Sequence, residues 1–110
     1  MGSAPKLGEL EQLVLLVVLR LGDDAYGVTI QREFLSVARR SISLGAIYTT
    51  LDRLEAKGYV SSTIGGATPE RGGRAKRYFV VEAAGKKALV RSLDTLRALT
   101  AGLEASVKGL

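Results

Sequence analysis

The stretch Ser43-Leu44-Gly45-Ala46-Ile47-Tyr48-Thr49-Thr50-Leu51-Asp52-Arg53-Leu54-Glu55-Ala56-Lys57-Gly58 decides how this chain folds. Leu44, Ile47, Leu51 and Leu54 recur at helical spacing, a narrow apolar seam that predicts an amphipathic helix starting at Ser43. Lys57 falls in its last turn and Gly58 closes it. At about 100° per residue, the face opposite the seam carries Gly45, Ala46, Thr49, Asp52 and Arg53, with Tyr48 on its flank. Such small and hydroxylated side chains permit close approach of something large. The face is unusually bare.

Downstream, residues 59–64 are rich in β-branched and hydroxyl side chains, residues 65–73 are rich in glycine, and residues 75–81 resume a strand-like pattern. This predicts a β-hairpin with a long tip. Arg71, Arg74, Lys76 and Arg77 place four cations within seven residues, the densest positive charge in the chain. They form either an ordinary solvated run or a phosphate-binding group, and strand alternation should turn some of them toward the core side.

Upstream, residues 7–21 predict a helix with Leu10, Leu13, Val14, Leu16, Val17 and Leu21 on one broad face. Leu15, Val18 and Leu19 make it apolar nearly all round, which calls for burial on more than one side and suggests a second subunit. Gly22 suits the end of that helix, and Asp23 or Asp24 can cap the next one. The second helix runs to about Ala38 with Tyr26, Ile30, Phe34 and Val37 as its core stripe, and Arg39 and Arg40 mark its end. From about Ala83 onward the pattern is helical to the end of the chain. Leu89, Leu93, Leu96, Leu103, Val107 and Leu110 alternate at spacings of three and four around Thr100, a heptad seam weakened by Gly102 and Gly109. Nearly 30 helical residues would reach about 40 Å, more than one small domain can cover, so a partner is expected.

Composition narrows the function. A chain of 110 residues with 46% hydrophobic content fits one domain. With no cysteine and no histidine, disulfide scaffolds, thiolate zinc sites, cysteine nucleophiles and Ser-His-Asp triads are excluded. The net charge of +5 is uneven: −2 over residues 1–38, +5 over residues 39–81 and +2 over residues 82–110. That asymmetry is expected of a polyanion-binding footprint. The longest apolar run, residues 13–19, is far short of the roughly 20 residues that span a bilayer, and no cleavable leader is visible, so a cytoplasmic location is expected.

Three helices, the third bare outside, followed by a basic-tipped hairpin, are the order of a winged helix-turn-helix. The expected architecture is mainly α with a small β element: residues 7–81 as the winged unit and residues 82–110 as a dimerisation helix of the same compact body. The major groove of B-DNA, about 12 Å wide, admits one α-helix, and a basic hairpin can lie along the phosphates.

The chain resembles the PadR family of transcriptional regulators over nearly all of residues 7–90. The resemblance is carried by Leu7-Gly8-Glu9-Leu10-Glu11, by Leu19-Arg20-Leu21-Gly22 leading into Ala25-Tyr26-Gly27, and above all by Ser43-Leu44-Gly45-Ala46-Ile47-Tyr48 with Leu51, Leu54, Glu55, Lys57 and Gly58. Arg71-Gly72-Gly73-Arg74, Lys76-Arg77-Tyr78, Gly85 and Leu89 continue it. It implies a dimeric repressor whose C-terminal helix packs on the partner's N-terminal helix, whose two recognition helices meet a roughly palindromic duplex operator, and which a small-molecule effector near the dimer interface releases. The short tail is similar to that of the subgroup with a single dimerisation helix. The chain departs from the family at Glu82 and Ala83, where a threonine often caps the last helix, and it has no tryptophan for an indole-lined drug pocket.

On this reading Ser43, Gly45, Ala46, Tyr48, Thr49 and Arg53 face the DNA groove, and Arg71, Arg74, Lys76 and Arg77 clamp phosphates. Leu13, Leu16, Leu89, Leu93, Leu96, Leu103 and Val107 form the dimer interface, and no metal or cofactor is expected. Tyr48 could instead pack the flank of its helix, and Arg53 could pair with Asp52 or Glu55. Two other functions fit less well. A phosphate-cradling enzyme would need Gly-Lys-Ser/Thr or G-x-G-x-x-G, and neither is present. A protein–protein adaptor on the same fold would not need the +5 of residues 39–81.

Overall fold

A computed structural model describes residues 6–65 and 75–109. Helix α1 spans Glu9–Leu21 and a 3₁₀ turn spans Gly22–Asp24; α2 spans Gly27–Ala38 and α3 Leu44–Ala56. Strands β1 (Val60–Ile64) and β2 (Arg77–Val81) precede α4 (Ala83–Thr100). The strands pair antiparallel from Val60 opposite Val81 to Ile64 opposite Arg77. The Phe79 N–H donates to the Ala25 carbonyl at 2.9 Å, which stitches the hairpin to the loop before α2.

Helix α1 lies at the centre. Val14, Leu15, Val17 and Val18 are buried, Leu10, Leu13, Leu16 and Leu21 are half-buried, and only Leu19 is exposed among its apolar residues. Its all-round apolar surface is mostly covered within the chain, by α2, α3, β2 and α4. The second apolar side therefore does not itself require a second subunit. Leu13 and Leu16 pack against the chain's own core.

The start of α2 differs from the expected aspartate cap. Asp23 and Asp24 belong to the 3₁₀ turn, and Thr29 does the capping: its Oγ1 accepts from the Tyr26 N–H at 3.0 Å while its hydroxyl faces the Asp24 and Tyr26 carbonyls. Ile30 and Phe34 are buried and Tyr26 is half-buried, but Val37, in the last turn, is exposed. The core stripe is one turn shorter than its spacing suggests. In α3, Ser43 is the N-cap, accepting from the Ala46 N–H at 3.1 Å, and Ile47, Leu51 and Leu54 are buried. Leu44, at the first position, is exposed.

Gly85 brings α4 onto the start of β1. A Cβ there would stand 2.3 Å from the Tyr59 carbonyl oxygen, so only glycine allows this packing distance. Ala88 and Leu89 are buried beyond it, and Leu93 is the last residue of α4 packed on the core. The helix ends at Thr100 instead of running to the chain end, because the backbone at Gly102 enters the left-handed region at φ +81°. Turns follow, with Val107 N–H donating to the Leu103 carbonyl at 2.9 Å. Leu103 and Val107 thus lie outside the helix and do not extend its seam, and Leu110 is outside the described residues. The radius of gyration is 16.1 Å, against about 13 Å for a compact chain of this length, consistent with α4 reaching beyond the core.

A partly buried ion pair, not legible in the sequence, joins the start of α1 to the end of α3. Lys57 Nζ donates to both Glu11 carboxylate oxygens at 2.7 Å and to the Lys6 carbonyl at 2.8 Å, and Gly8 N–H donates to Glu11 Oε1 at 2.7 Å. Burial alone would raise the Glu11 pKa. The Gly8 N–H, the Lys57 ammonium and the charge of Arg53 more than reverse that, holding it below the ordinary glutamate value. Such a group stabilises the fold above its unfolded pKa, and the contribution fades as pH falls through the depressed folded value. Glu11→Gln should therefore lower stability by about 1–3 kcal/mol near neutral pH, the range for losing charged hydrogen bonds. In urea denaturation its midpoint should converge on that of the wild type as pH drops below about 4.

Candidate nucleic-acid interface

Helix α3 has two faces. Ile47, Thr50, Leu51 and Leu54 are buried, with the Thr50 hydroxyl satisfied by the Ala46 carbonyl at 2.8 Å. On the other side Ser43, Gly45, Tyr48, Thr49, Asp52 and Arg53 are exposed and Ala46 is half-buried. All six recognition-helix candidates therefore lie on or beside one accessible face. Tyr48 is 36% exposed, and its phenol lies across Gly27, the first residue of α2: a Cβ on Gly27 would meet the hydroxyl at 2.2 Å. Tyr48 thus packs on the flank of its helix, the alternative weighed from the sequence, and keeps an accessible edge.

The hairpin cations divide by position. Arg71 and Arg74 lie outside the described residues. Lys76 is exposed, with Nζ 4.6 Å from the centre of the Tyr26 ring and 3.4 Å from its hydroxyl. Tyr26 in turn meets Tyr78 edge-on, centroids 5.4 Å apart, and the Tyr78 ring covers Gly65. Arg77 is different. It is half-buried over the Phe79 ring and donates to Ser62 Oγ at 3.1 Å, to Asp52 Oδ1 at 3.3 Å and to Glu55 Oε1. It braces the hairpin against α3.

That brace changes the charge of the exposed helix face. Asp52 and Glu55 are paired with Arg77 and not with Arg53, which has no ion pair among the described residues. One hairpin cation thus offsets one of the two negative charges of α3, and Arg53 stays outside that pairing on the exposed face. The sequence shows the charges but not this pairing, since Asp52 and Arg77 are 25 residues apart.

The dimer-interface candidates also divide. Leu89 is 3% exposed and belongs to the chain's own core, so it cannot present an interface. Leu93 is half-buried against that core, while Leu96, Leu103 and Val107 are exposed. Leu99 is 70% exposed and was not on the seam expected from the sequence. An open groove of about 440 Å³ runs between the start of α1 and α4, lined in part by Leu7, Gln12, Ala88, Arg91, Thr95 and Leu96. No described helix is long and apolar enough to cross a membrane.

The order of elements, the hairpin stitched to the loop before α2 and the exposed face of α3 define a winged helix-turn-helix protein. Residues 15–91 match the transcriptional regulator PadR-like family, and the chain belongs to that family. It is a transcriptional regulator and not an enzyme. Among solved structures, a transcriptional regulator from Clostridium thermocellum is similar, with TM-score 0.72 and 21% identity over 90% of each chain. A PadR family regulator from Clostridium difficile R20291 has TM-score 0.69 and 23% identity over 89% of this chain and 97% of its own. A PadR-like regulator from Bacillus cereus has TM-score 0.71 and 18% identity over 92% and 93%. At these identities the likeness is one of fold. No curated protein matches the chain.

The division of the cations is testable. Arg77→Ala should lower stability by about 1 kcal/mol, modest because the pair is partly exposed. Lys76→Ala should change it by no more than about 0.5 kcal/mol. Thermal unfolding of the two variants checks this; equal effects would mean that Arg77 is no brace.

Proposed function

We propose that this regulator is a homodimeric, sequence-specific DNA-binding repressor working in the cytoplasm. The observation that carries the proposal is the exposed face of α3, low in bulk and with its acidic charge partly offset by Arg77, beside a cationic hairpin. Helix α3 enters the major groove N-terminal turn first, so that Ser43, Gly45, Ala46 and Thr49 come closest to the bases, with Tyr48 and Arg53 beside them. Lys76, together with Arg71 and Arg74, contacts phosphates and sets register without reading sequence. Arg77 acts indirectly, by holding the hairpin to α3.

The winged unit, residues 7–81, does the recognising, and α4 with the tail joins two copies. Leu96 and Leu99, exposed beyond the last core contact of α4, and the adjoining groove against α1 support that role. A small molecule seated near this junction would release the repressor from DNA by changing how the two α3 helices are spaced. That last part rests on the family resemblance.

Fluorescence anisotropy tests the DNA reading, using the duplex upstream of the protein's own gene against a shuffled duplex across a salt series. Tighter binding to the native duplex that persists at about 150 mM salt is expected. Equal binding that vanishes with salt would reduce the protein to a basic surface, and no binding at low salt would favour an adaptor. Thr49→Lys should cut the preference for the native duplex by about tenfold or more while leaving the thermal midpoint in place. For the dimer, the Leu96→Asp, Leu99→Asp double variant should sediment as a folded monomer. A dimer unaffected by both charges would place the interface elsewhere.

A further inference from the structure

We propose that Gly27 is a positioning residue for DNA recognition, acting through Tyr48; this rests on the DNA-binding reading above. Gly27 is the buried first residue of α2, and its backbone is not among those at positive φ. Nothing in the local conformation requires glycine there. What requires it is space. A Cβ at this position would stand 2.2 Å from Tyr48 Oη, 2.5 Å from Cζ and 2.9 Å from Cε2, all far inside van der Waals contact.

Tyr48 is the single aromatic residue of α3 and sits on the flank of its bare face. Laid back across α2, it leaves the surface over Gly45 and Thr49 low, and it sets its hydroxyl at the junction of the two helices. Gly27 permits that arrangement. An alanine would drive the phenol off α2, and because Tyr48 is partly exposed, the ring can swing toward solvent without forcing the helices apart. It would then stand up beside the face offered to DNA. Gly27 touches no base or phosphate in this scheme; its effect passes wholly through the direction of one side chain.

The test is a double-mutant cycle on the full chain: wild type, Gly27→Ala, Tyr48→Ala and the combined variant, each measured for thermal midpoint and for anisotropy with the native and shuffled duplexes. Gly27→Ala is expected to keep the midpoint and to lose about tenfold in affinity for the native duplex, the size of one well-made contact. In the Tyr48→Ala background the same substitution should change affinity less than about twofold, because the side chain it displaces is gone. Equal losses in the two backgrounds, or wild-type affinity in Gly27→Ala, would overturn the proposal. So would a Gly27→Ala chain that fails to fold, since the phenol would then not be free to swing. A wild-type chain that binds neither duplex would overturn this proposal and the DNA reading together.

Discussion

The structure depends on enclosing α1. A helix apolar on nearly every side cannot rest on a surface, because each exposed aliphatic face forgoes the hydrophobic stabilisation of about 25 cal/mol per Å². Within 110 residues the chain covers it with α2 and α3, with β2 through Phe79 and Val81, and with the first half of α4 through Ala88 and Leu89. This constraint orients everything else. Once α3 gives Ile47, Leu51 and Leu54 to that core, its remaining face must look outward, and the hairpin that follows must lie beside it.

Polar interactions then fix details that burial leaves open. The Glu11–Lys57 pair joins the start of α1 to the end of α3, so the C-terminal end of α3 is anchored while its N-terminal turn stays exposed. Arg77 does the corresponding work at the hairpin. By engaging Asp52 and Glu55 it ties the β-ladder to α3 and offsets part of their negative charge. One ion-pair cluster thereby serves packing and electrostatics together.

Helix α4 has two halves with different environments. Up to Leu93 it is part of the protomer's core, held close by Gly85; beyond that point Leu96 and Leu99 are exposed. The heptad seam from Leu89 through Val107 treats these as one continuous surface. The break at Gly102 and the burial of Leu89 show that they are not, since a single helix that has already buried one end of its stripe can offer only the rest to a partner.

By itself the sequence determined the elements and their order: three helices, a hairpin and a fourth helix, together with the bare outer face of α3. Those follow from local periodicity, from Ser43, Gly22 and Gly58 at helix ends, and from the concentration of charge in residues 39–81. Tertiary structure alone decided which of equivalent residues do what. Arg77 and Lys76 are neighbours of like charge, yet strand alternation and the position of α3 turn one into a brace and leave the other exposed. Leu89 and Leu96 are two turns apart on one seam, yet one is core and the other surface. Gly27 is an ordinary helix residue until Tyr48, 21 positions later, is brought against it. In each case the deciding contact joins residues distant in the chain, and periodicity carries no record of such contacts.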